Sequence, residues 1–137
     1  MQNINLYQKK LLQHNNKPKN FGILKNPTFI FEAFNPLCGD HYKFYIEIHN
    51  NSFIDVSFTG DGCIISKASA SIMTNYIKGL KKNDFMNKVL NFKKFLKTGK
   101  STEFKDSEFS VFSDIYKYPP RIKCSILPWE TIHNSIK

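Results

Sequence analysis

The chain has 137 residues, three cysteines and a formal net charge of +9, and 41% of its residues are hydrophobic. This length supports one domain with its own hydrophobic core, so we take residues 1–137 as a single domain. No segment approaches the roughly 20 apolar residues of a membrane-spanning helix and none resembles a secretory signal, so we expect a cytoplasmic protein without a membrane partner. The lysines are spread along the whole chain, and we therefore do not expect binding to nucleic acid.

The first half of the sequence predicts one helix followed by three strands. Apolar residues at helical spacing over residues 4–13 predict an amphipathic helix that ends before the next proline, because proline disfavours a helical conformation of the preceding residue. Residues 28–34 are β-prone, and hydrophobic residues alternate with polar ones over residues 42–48 and 54–58. Asn50-Asn51 predicts a tight hairpin turn between the last two strands, since asparagine tolerates a positive φ.

The second half of the sequence predicts helices. Apolar and small residues repeat at helical spacing over residues 65–77 and predict a helix there. A second helix is predicted to begin with a cap at Asn83-Asp84 and to end at Gly99. Residues 100–118 are mixed and polar, so we expect a loop that contains a short helix around residues 111–116.

The last predicted helix follows the third cysteine. Trp129, Ile132 and Ile136 have helical spacing, and Pro128 fits a helix best in its first turn, which places Cys124 just ahead of the helix. Because strands come first and helices follow, we predict an α+β domain. Its sheet would be three-stranded and mostly antiparallel, with the helices packed on one face.

The three cysteines lie in segments predicted as turns or helix boundaries. Cys38 belongs to Asn35-Pro-Leu-Cys-Gly-Asp40, between two strands, and Cys63 ends Gly60-Asp-Gly-Cys63, between a strand and a helix. Structural cysteines are usually found on apolar faces, whereas these lie among glycine, proline and charged residues. Cys63 and Cys124 are both expected at helix N-termini, where the helix dipole favours the thiolate.

Three thiolates and one carboxylate form a donor set that tetrahedral zinc accepts. Asp40 is the candidate carboxylate, because it follows Cys38 after a single glycine. The donors lie far apart in the sequence, unlike those of paired C-x-x-C motifs. Spacing alone therefore leaves two interpretations open, a zinc site or three reduced thiols without a metal.

Four segments resemble the IscU/NifU/SufU family of iron–sulfur cluster assembly proteins. Residues 35–40, 60–73 and 121–127 contain the cysteines and resemble the three signature blocks of that family. Residues 6–22 are similar to the N-terminal block of the family. The segments follow the family's order over nearly the whole chain, and such a combination does not arise readily by chance.

Two features resemble the SufU members of this family more than the IscU members. Lys123 precedes Cys124 at a position where IscU proteins usually carry a histidine that can bind metal. The long segment between the second and third cysteines also resembles the insertion of SufU. The resemblance then implies a zinc ion bound by Cys38, Asp40, Cys63 and Cys124.

The resemblance also implies a partner, a pyridoxal-phosphate cysteine desulfurase of the SufS type. That enzyme forms a persulfide on its own cysteine and passes the sulfur on. In SufU proteins a histidine of the desulfurase replaces one zinc ligand and the first cysteine, here Cys38, accepts the sulfur. The chain is then expected to act as a sulfur carrier without turnover of its own and to serve iron–sulfur acceptor proteins.

Two alternatives remain at this point. An IscU-like scaffold would assemble a [2Fe–2S] cluster on the same four ligands, and in such relatives the third cysteine, here Cys124, is often assigned as the sulfur acceptor. A small zinc-stabilised module would carry no sulfur at all. Other polar residues have structural interpretations. His41 is expected at the rim of the site. The helix serines are expected only to allow close packing, and they are Ser66, Ser69 and Ser71.

Overall fold

The computed structural model describes residues 6–104 and 108–136. The elements follow one another as α1 (Leu6–Asn16), β1 (Phe29–Asn35), β2 (Asp40–His49), β3 (Ser52–Asp61), α2 (Ile64–Ile77), α3 (Lys82–Thr98), two 3₁₀ segments (Glu108–Phe112 and Ile115–Lys117) and α4 (Pro119–Ile136). The predicted N-terminal helix is confirmed from residue 6 onward, and residues 4 and 5 of that prediction lie outside the described residues. Within the described residues, none of the helices is both long and apolar enough to cross a membrane.

The three strands form one antiparallel sheet in the order β1-β2-β3, as the sequence predicts. The central strand, β2, pairs with both neighbours, so that Phe44 lies opposite Phe31 on one side and Phe58 on the other. Asn50 and Asn51 form the hairpin turn with φ values of 51° and 62°, which is the positive-φ geometry expected of a two-residue hairpin. The α+β prediction is therefore confirmed.

A β-bulge changes which residues of β3 face the core. Glu47 pairs with Asp55 but Ile48 pairs with Phe53, so Ile54 has no partner on β2. A bulge inserts one extra residue and reverses the alternation beyond it. Phe53 is therefore buried and Ile54 is 50% exposed, and the simple alternation predicted for residues 54–58 fails at its first residue.

The helices cover one face of the sheet, where α2 contacts β3 and α4 contacts β1 and β2. That face presents aromatic and aliphatic side chains with no exposed surface, namely Tyr42, Phe44, Ile46, Val56 and Phe58. Behind it, Trp129 of α4 packs against Phe92 and Phe85 of α3, with ring centroids 4.6 Å and 6.0 Å away. This aromatic cluster joins α3 and α4 into the same hydrophobic core as the sheet.

The start of α3 differs from the prediction, which had placed its cap at Asn83-Asp84. The helix begins at Lys82, and its N-cap residue Lys81 makes no side-chain capping bond. The backbone of this segment pairs with the start of β3, because Phe53 N–H donates to the Leu80 carbonyl and Lys82 N–H donates to the Asn51 carbonyl. These sheet-like bonds hold the backbone in place where the chain enters α3, so the helix begins without a capping side chain. The predicted end at Gly99 is confirmed.

A partly buried ion-pair network ties the loop after α3 back to the helices. Glu103 accepts hydrogen bonds from Tyr76 Oη at 2.7 Å and Asn91 Nδ2 at 3.3 Å, and it forms an ion pair with Lys88. Burial, the largest single influence, raises the pKa of Glu103, but the hydrogen bonds from Lys88 and Tyr76 outweigh it and hold the pKa below its ordinary value. The carboxylate is therefore stabilised as an anion in the folded protein.

The Glu103→Gln variant is expected to lose about 1–2 kcal/mol of unfolding free energy at pH 7, because the amide cannot replace a carboxylate that binds a lysine. The pKa of Glu103 is lower folded than unfolded, so its stabilisation is present above about pH 4.5 and is lost as the pH falls through the folded pKa. Urea unfolding at several pH values from 7 to 3 measures both effects. The more exposed pair of Lys93 and Glu130 gives the control Glu130→Gln, for which the loss should stay below about 1 kcal/mol. A Glu103→Gln loss that is equal at all pH values would contradict this expectation.

Candidate metal centre

Cys38 and Asp40 are positioned by the turn between β1 and β2. Asn35 closes this turn, since its carbonyl accepts a hydrogen bond from Cys38 N–H at 3.3 Å and its Oδ1 accepts one from Leu37 N–H at 3.2 Å. Gly39 follows with a φ of 69°, a conformation that favours glycine. As a result the Cys38 side chain is exposed, whereas Asp40, the first residue of β2, is fully buried.

Cys63 is the N-cap residue of α2, as the sequence predicts. Its backbone is extended, with φ of −69° and ψ of 162°, and its Sγ accepts a hydrogen bond from Ser66 N–H at 3.4 Å. Sulfur here takes the role that serine or aspartate oxygen usually has at a helix start. The side chain is half-buried.

Cys124 does not precede the last helix but lies inside it, so that part of the prediction is wrong. Helix α4 begins at Pro119, and Pro119-Pro120 occupy its first turn, where proline needs no hydrogen-bonding N–H. Pro128 is in the helix interior and deprives the carbonyl four residues earlier, that of Cys124, of its helical partner. The Cys124 side chain is fully buried, and its thiol donates a long hydrogen bond to the Pro120 carbonyl at 3.8 Å.

The fold brings the predicted ligands together from three separate elements. The Sγ atoms of Cys38 and Cys124 are 3.0 Å apart, and one donor atom from each of Cys38, Asp40 and Cys124 lies within 4.8 Å of the others. Cys63 is outside this tightest group, but it is close enough to influence the pKa of Cys124. The cluster therefore contains three of the predicted ligands in contact range, with the fourth beside them.

Within the described part of the chain, Asp40 is anchored mainly through one carboxylate oxygen. Its Oδ1 accepts hydrogen bonds from Cys63 N–H at 2.8 Å and from Ser66 Oγ at 3.0 Å. Its Oδ2 has only a weak contact with Asn35 Nδ2 at 3.5 Å. The oxygen that remains for a cation is therefore Oδ2. Ser66 was expected only to allow close packing but also contributes to the site, and its position in the first turn after an N-cap residue could have indicated this role.

The donor set fits a metal that binds thiolate together with a carboxylate. Burial raises the pKa of the Cys124 thiol above its usual range, and the Cys38 and Cys63 side chains next to it raise that pKa further. Sulfurs packed this closely cannot all become thiolates unless a positive charge balances them. Three cysteines and one carboxylate form a donor set that zinc accepts, and thiolates also bind iron in iron–sulfur clusters.

The exposed side of the site has a mixed apolar and basic rim. Asn35, Leu37, Pro119, Pro120 and Lys123 line a surface cavity of about 330 Å³ next to Cys38. Leu37 itself is 83% exposed. His41, expected at the rim, is exposed and pairs its Nε2 with Glu32 Oε2 at 2.7 Å. A macromolecule that approaches this rim would reach Cys38 first.

Comparisons with known proteins agree over nearly the whole chain. A protein-family model described as the NifU-like N terminal domain matches residues 6–137. The iron–sulfur cluster assembly scaffold protein IscU of Thermotoga maritima is 33% identical over 132 residues, which cover 96% of this chain and 93% of that protein. The zinc-dependent sulfurtransferase SufU of Bacillus subtilis is 32% identical over 135 residues, which cover 96% of this chain and 89% of that protein.

A solved structure gives the same result at the level of the fold. A candidate iron–sulfur cluster assembly scaffold protein for the SUF system from Fervidobacterium islandicum matches with a TM-score of 0.84 and 30% identity. The match covers 94% of this chain and 95% of that chain. Because IscU and SufU relatives are almost equally similar to this chain, sequence identity does not separate the two subtypes.

Proposed function

The chain belongs to the family of NifU-like N-terminal domains that serve iron–sulfur cluster assembly, and from this premise we propose that it is a zinc-dependent sulfur acceptor of the SufU type. It would take persulfide sulfur from a pyridoxal-phosphate cysteine desulfurase of the SufS type and pass it towards iron–sulfur acceptor proteins. The observation that carries this proposal is the position of Cys38, an exposed thiol on a turn whose sulfur contacts a buried thiol at 3.0 Å. The chain would act as a carrier and have no turnover of its own.

In this proposal Cys38, Asp40, Cys63 and Cys124 bind the zinc ion, with Asp40 offering Oδ2. When bound, zinc would keep the cysteine sulfurs deprotonated at neutral pH, which is the state that both metal binding and nucleophilic attack require. The protein contributes the arrangement of the donors. Cys124 lies inside α4, Cys63 is the N-cap residue of α2, and Cys38 and Asp40 flank Gly39 where the β1–β2 turn enters β2.

The proposed transfer moves one sulfur atom without a net change of oxidation state. The Cys38 thiolate attacks the outer sulfur of the desulfurase persulfide, and a new S–S bond forms on Cys38. The S–S bond of the enzyme persulfide breaks, and the desulfurase cysteine leaves as a thiolate. No further oxidant or reductant is needed, because one persulfide is exchanged for another.

The second candidate is an IscU-like scaffold that assembles a [2Fe–2S] cluster on the same ligands. The similarity to the Thermotoga maritima IscU protein favours it, because 33% identity extends over 96% of this chain. Lys123 argues against it, since an exposed amine stands where the resemblance to IscU would place a metal-binding histidine. The two candidate functions predict different metals in the purified protein, zinc for the sulfur acceptor and iron for the cluster scaffold.

Metal analysis combined with a desulfurase assay tests the proposal. The protein is purified without added metal, and zinc and iron are measured together with the visible absorbance. It is then added to a SufS-type desulfurase with cysteine and a reductant, and the rate of alanine formation is followed. We expect one zinc per chain and a desulfurase rate that rises several-fold and saturates with the concentration of this protein. Bound iron with visible absorbance would favour the scaffold, and an unchanged desulfurase rate would contradict sulfur acceptance.

A further inference from the structure

The buried side chains of Ser66 and Tyr42 form a hydrogen-bonded support behind Asp40, and no sequence pattern assigned them to the site. We propose that Ser66 and Tyr42 are positioning residues that hold Asp40 as a one-oxygen metal ligand, and that Gly62 is glycine because this support fills the space of a side chain. The inference rests on the proposed function in one respect only, that Asp40 binds a metal. It adds residues that contact no metal themselves.

The support is a chain of hydrogen bonds with a defined direction. Tyr42 Oη lies 2.7 Å from Ser66 Oγ, and Ser66 Oγ lies 3.0 Å from Asp40 Oδ1. An ionised carboxylate and a carbonyl only accept hydrogen bonds, and Ser66 Oγ also lies 3.1 Å from the Cys63 carbonyl. The single Ser66 hydroxyl hydrogen is therefore directed at Asp40 and this carbonyl and not at Tyr42. Tyr42 must then donate to Ser66. Both hydroxyl groups act on the same carboxylate oxygen, one directly and one through the other.

Burial makes this chain of bonds strong and difficult to replace. Tyr42, Ser66 and Asp40 have no exposed surface. In such surroundings hydrogen bonds are stronger than in water, and a polar group that loses its partner costs free energy. Asp40 Oδ1 also accepts from Cys63 N–H at 2.8 Å, so this oxygen already has two donors. The two donors restrain rotation of the carboxylate, and Oδ2, which among the described residues has only a weak contact with Asn35, is the oxygen left to bind a cation.

Gly62 gives an independent sign that the support is closely packed. A Cβ atom at this position would lie 2.3 Å from Asp40 Oδ1, 2.5 Å from Tyr42 Oη and 2.8 Å from Ser66 Oγ. Its φ is not in the positive range, so glycine is required here for space rather than for backbone conformation. The three oxygen atoms of the support thus meet above the Gly62 backbone.

The test compares the affinity for Zn²⁺ by competition with a chromophoric chelator. Ser66→Ala should raise the Zn²⁺ dissociation constant about tenfold, the lower end of the range for groups that orient a metal ligand, because Cys63 N–H still holds Oδ1. Tyr42→Phe should raise it about threefold, because the serine remains. In the Ser66→Ala background Tyr42→Phe should have no further effect, since the two residues act in series. Asp40→Ala, which removes the carboxylate itself, sets the upper limit for the loss of Zn²⁺ affinity.

Two matched variants remove buried hydroxyl groups that belong to other contacts. Ser71→Ala, also in α2, loses hydrogen bonds with His14 at 2.6 Å and Lys19 N–H at 2.7 Å. Tyr45→Phe loses the contact between Tyr45 Oη and Thr59 Oγ1 at 3.1 Å. Both should lower the melting temperature and leave the Zn²⁺ dissociation constant unchanged. Visible spectra of the Co²⁺-loaded proteins should change for Ser66→Ala and stay the same for both controls, because they report the ligands around the ion.

The outcomes separate this inference from the proposed function. Dissociation constants for Ser66→Ala and Tyr42→Phe that equal those of their controls would overturn the positioning role and leave sulfur acceptance intact. Additive effects of the two substitutions would also overturn it. If Ser66→Ala does not fold, the comparison of Tyr42→Phe with Tyr45→Phe decides the question alone. A parent protein that binds zinc but accepts no sulfur, with the expected loss in Ser66→Ala, would overturn the proposed function and support the positioning role.

Discussion

The Cys38→Ser variant is expected to accept no persulfide sulfur from a cysteine desulfurase, and the acceleration of that enzyme should disappear with it. Cys38 is the exposed cysteine, on a turn beside an 83% exposed leucine, and a partner can approach it without disturbing the core. Cys124 is fully buried inside α4 in contact with the Cys38 sulfur, so a partner could reach its sulfur only after neighbouring residues such as the Cys38 turn had moved. A serine hydroxyl is not ionised at neutral pH and cannot form a persulfide.

The location of the transferred sulfur is measured by peptide mapping under non-reducing conditions. The parent protein is incubated with desulfurase and cysteine, and the peptide that contains Cys38 should carry one extra sulfur. Cys63→Ser and Cys124→Ser serve as controls once each has been shown to fold, since loss of a ligand also weakens metal binding. A persulfide on Cys124 of the parent protein that still forms in Cys38→Ser would reverse the assignment and favour the IscU-like alternative.

Removal of zinc is expected to lower the melting temperature by about 10–20 °C. The proposed ligands lie on the β1–β2 turn, at the start of α2 and within α4, so one ion would link the sheet to two helices. A ligand present at a thousandfold excess over its dissociation constant stabilises the folded state by about 4 kcal/mol. For a domain of this size that corresponds to about 3–5 °C for each kcal/mol.

Calorimetry before and after treatment with a chelator measures this change, with metal content determined on the same samples. The metal-free protein should still unfold cooperatively, because the aromatic cluster around Trp129 does not depend on the metal. Addition of one equivalent of Zn²⁺ should restore the original melting temperature, whereas Mg²⁺ should not, since magnesium binds oxygen ligands. An unchanged melting temperature after verified metal removal would show that the ion does not stabilise the fold.

Local patterns in the sequence were sufficient for most of the secondary structure. Asn50-Asn51 predicted the hairpin because asparagine accepts a positive φ, and the observed φ values of 51° and 62° confirm it. The position of Cys63 ahead of α2 was likewise predicted, because Gly60-Asp-Gly-Cys63 lies between a strand pattern and a helix pattern. Such features depend on the steric preferences of a few neighbouring residues.

The candidate metal centre was predicted only in part. The three cysteines and Asp40 are far apart in the sequence, and spacing left a metal site and free thiols equally open. The resemblance of whole segments to a known family supplied the grouping, and the fold places Cys38, Asp40 and Cys124 within 4.8 Å of one another. Ser66 was not predicted as part of the site, because a serine without a companion base has no distinctive sequence pattern.

Only the tertiary structure decided where Cys124 lies and what surrounds Asp40. A proline in a helix interior costs about 3 kcal/mol, so the sequence favoured a helix that begins near Pro128. The folded chain instead extends α4 back to Pro119, because this places Cys124 and Ile126 in the core together with Trp129 and Ile132. The burial of these side chains offsets the lost hydrogen bond. In the same way the contact between Tyr42, Ser66 and Asp40 arises only when the first turn of α2 lies beside the start of β2, since no local preference joins residues on different elements.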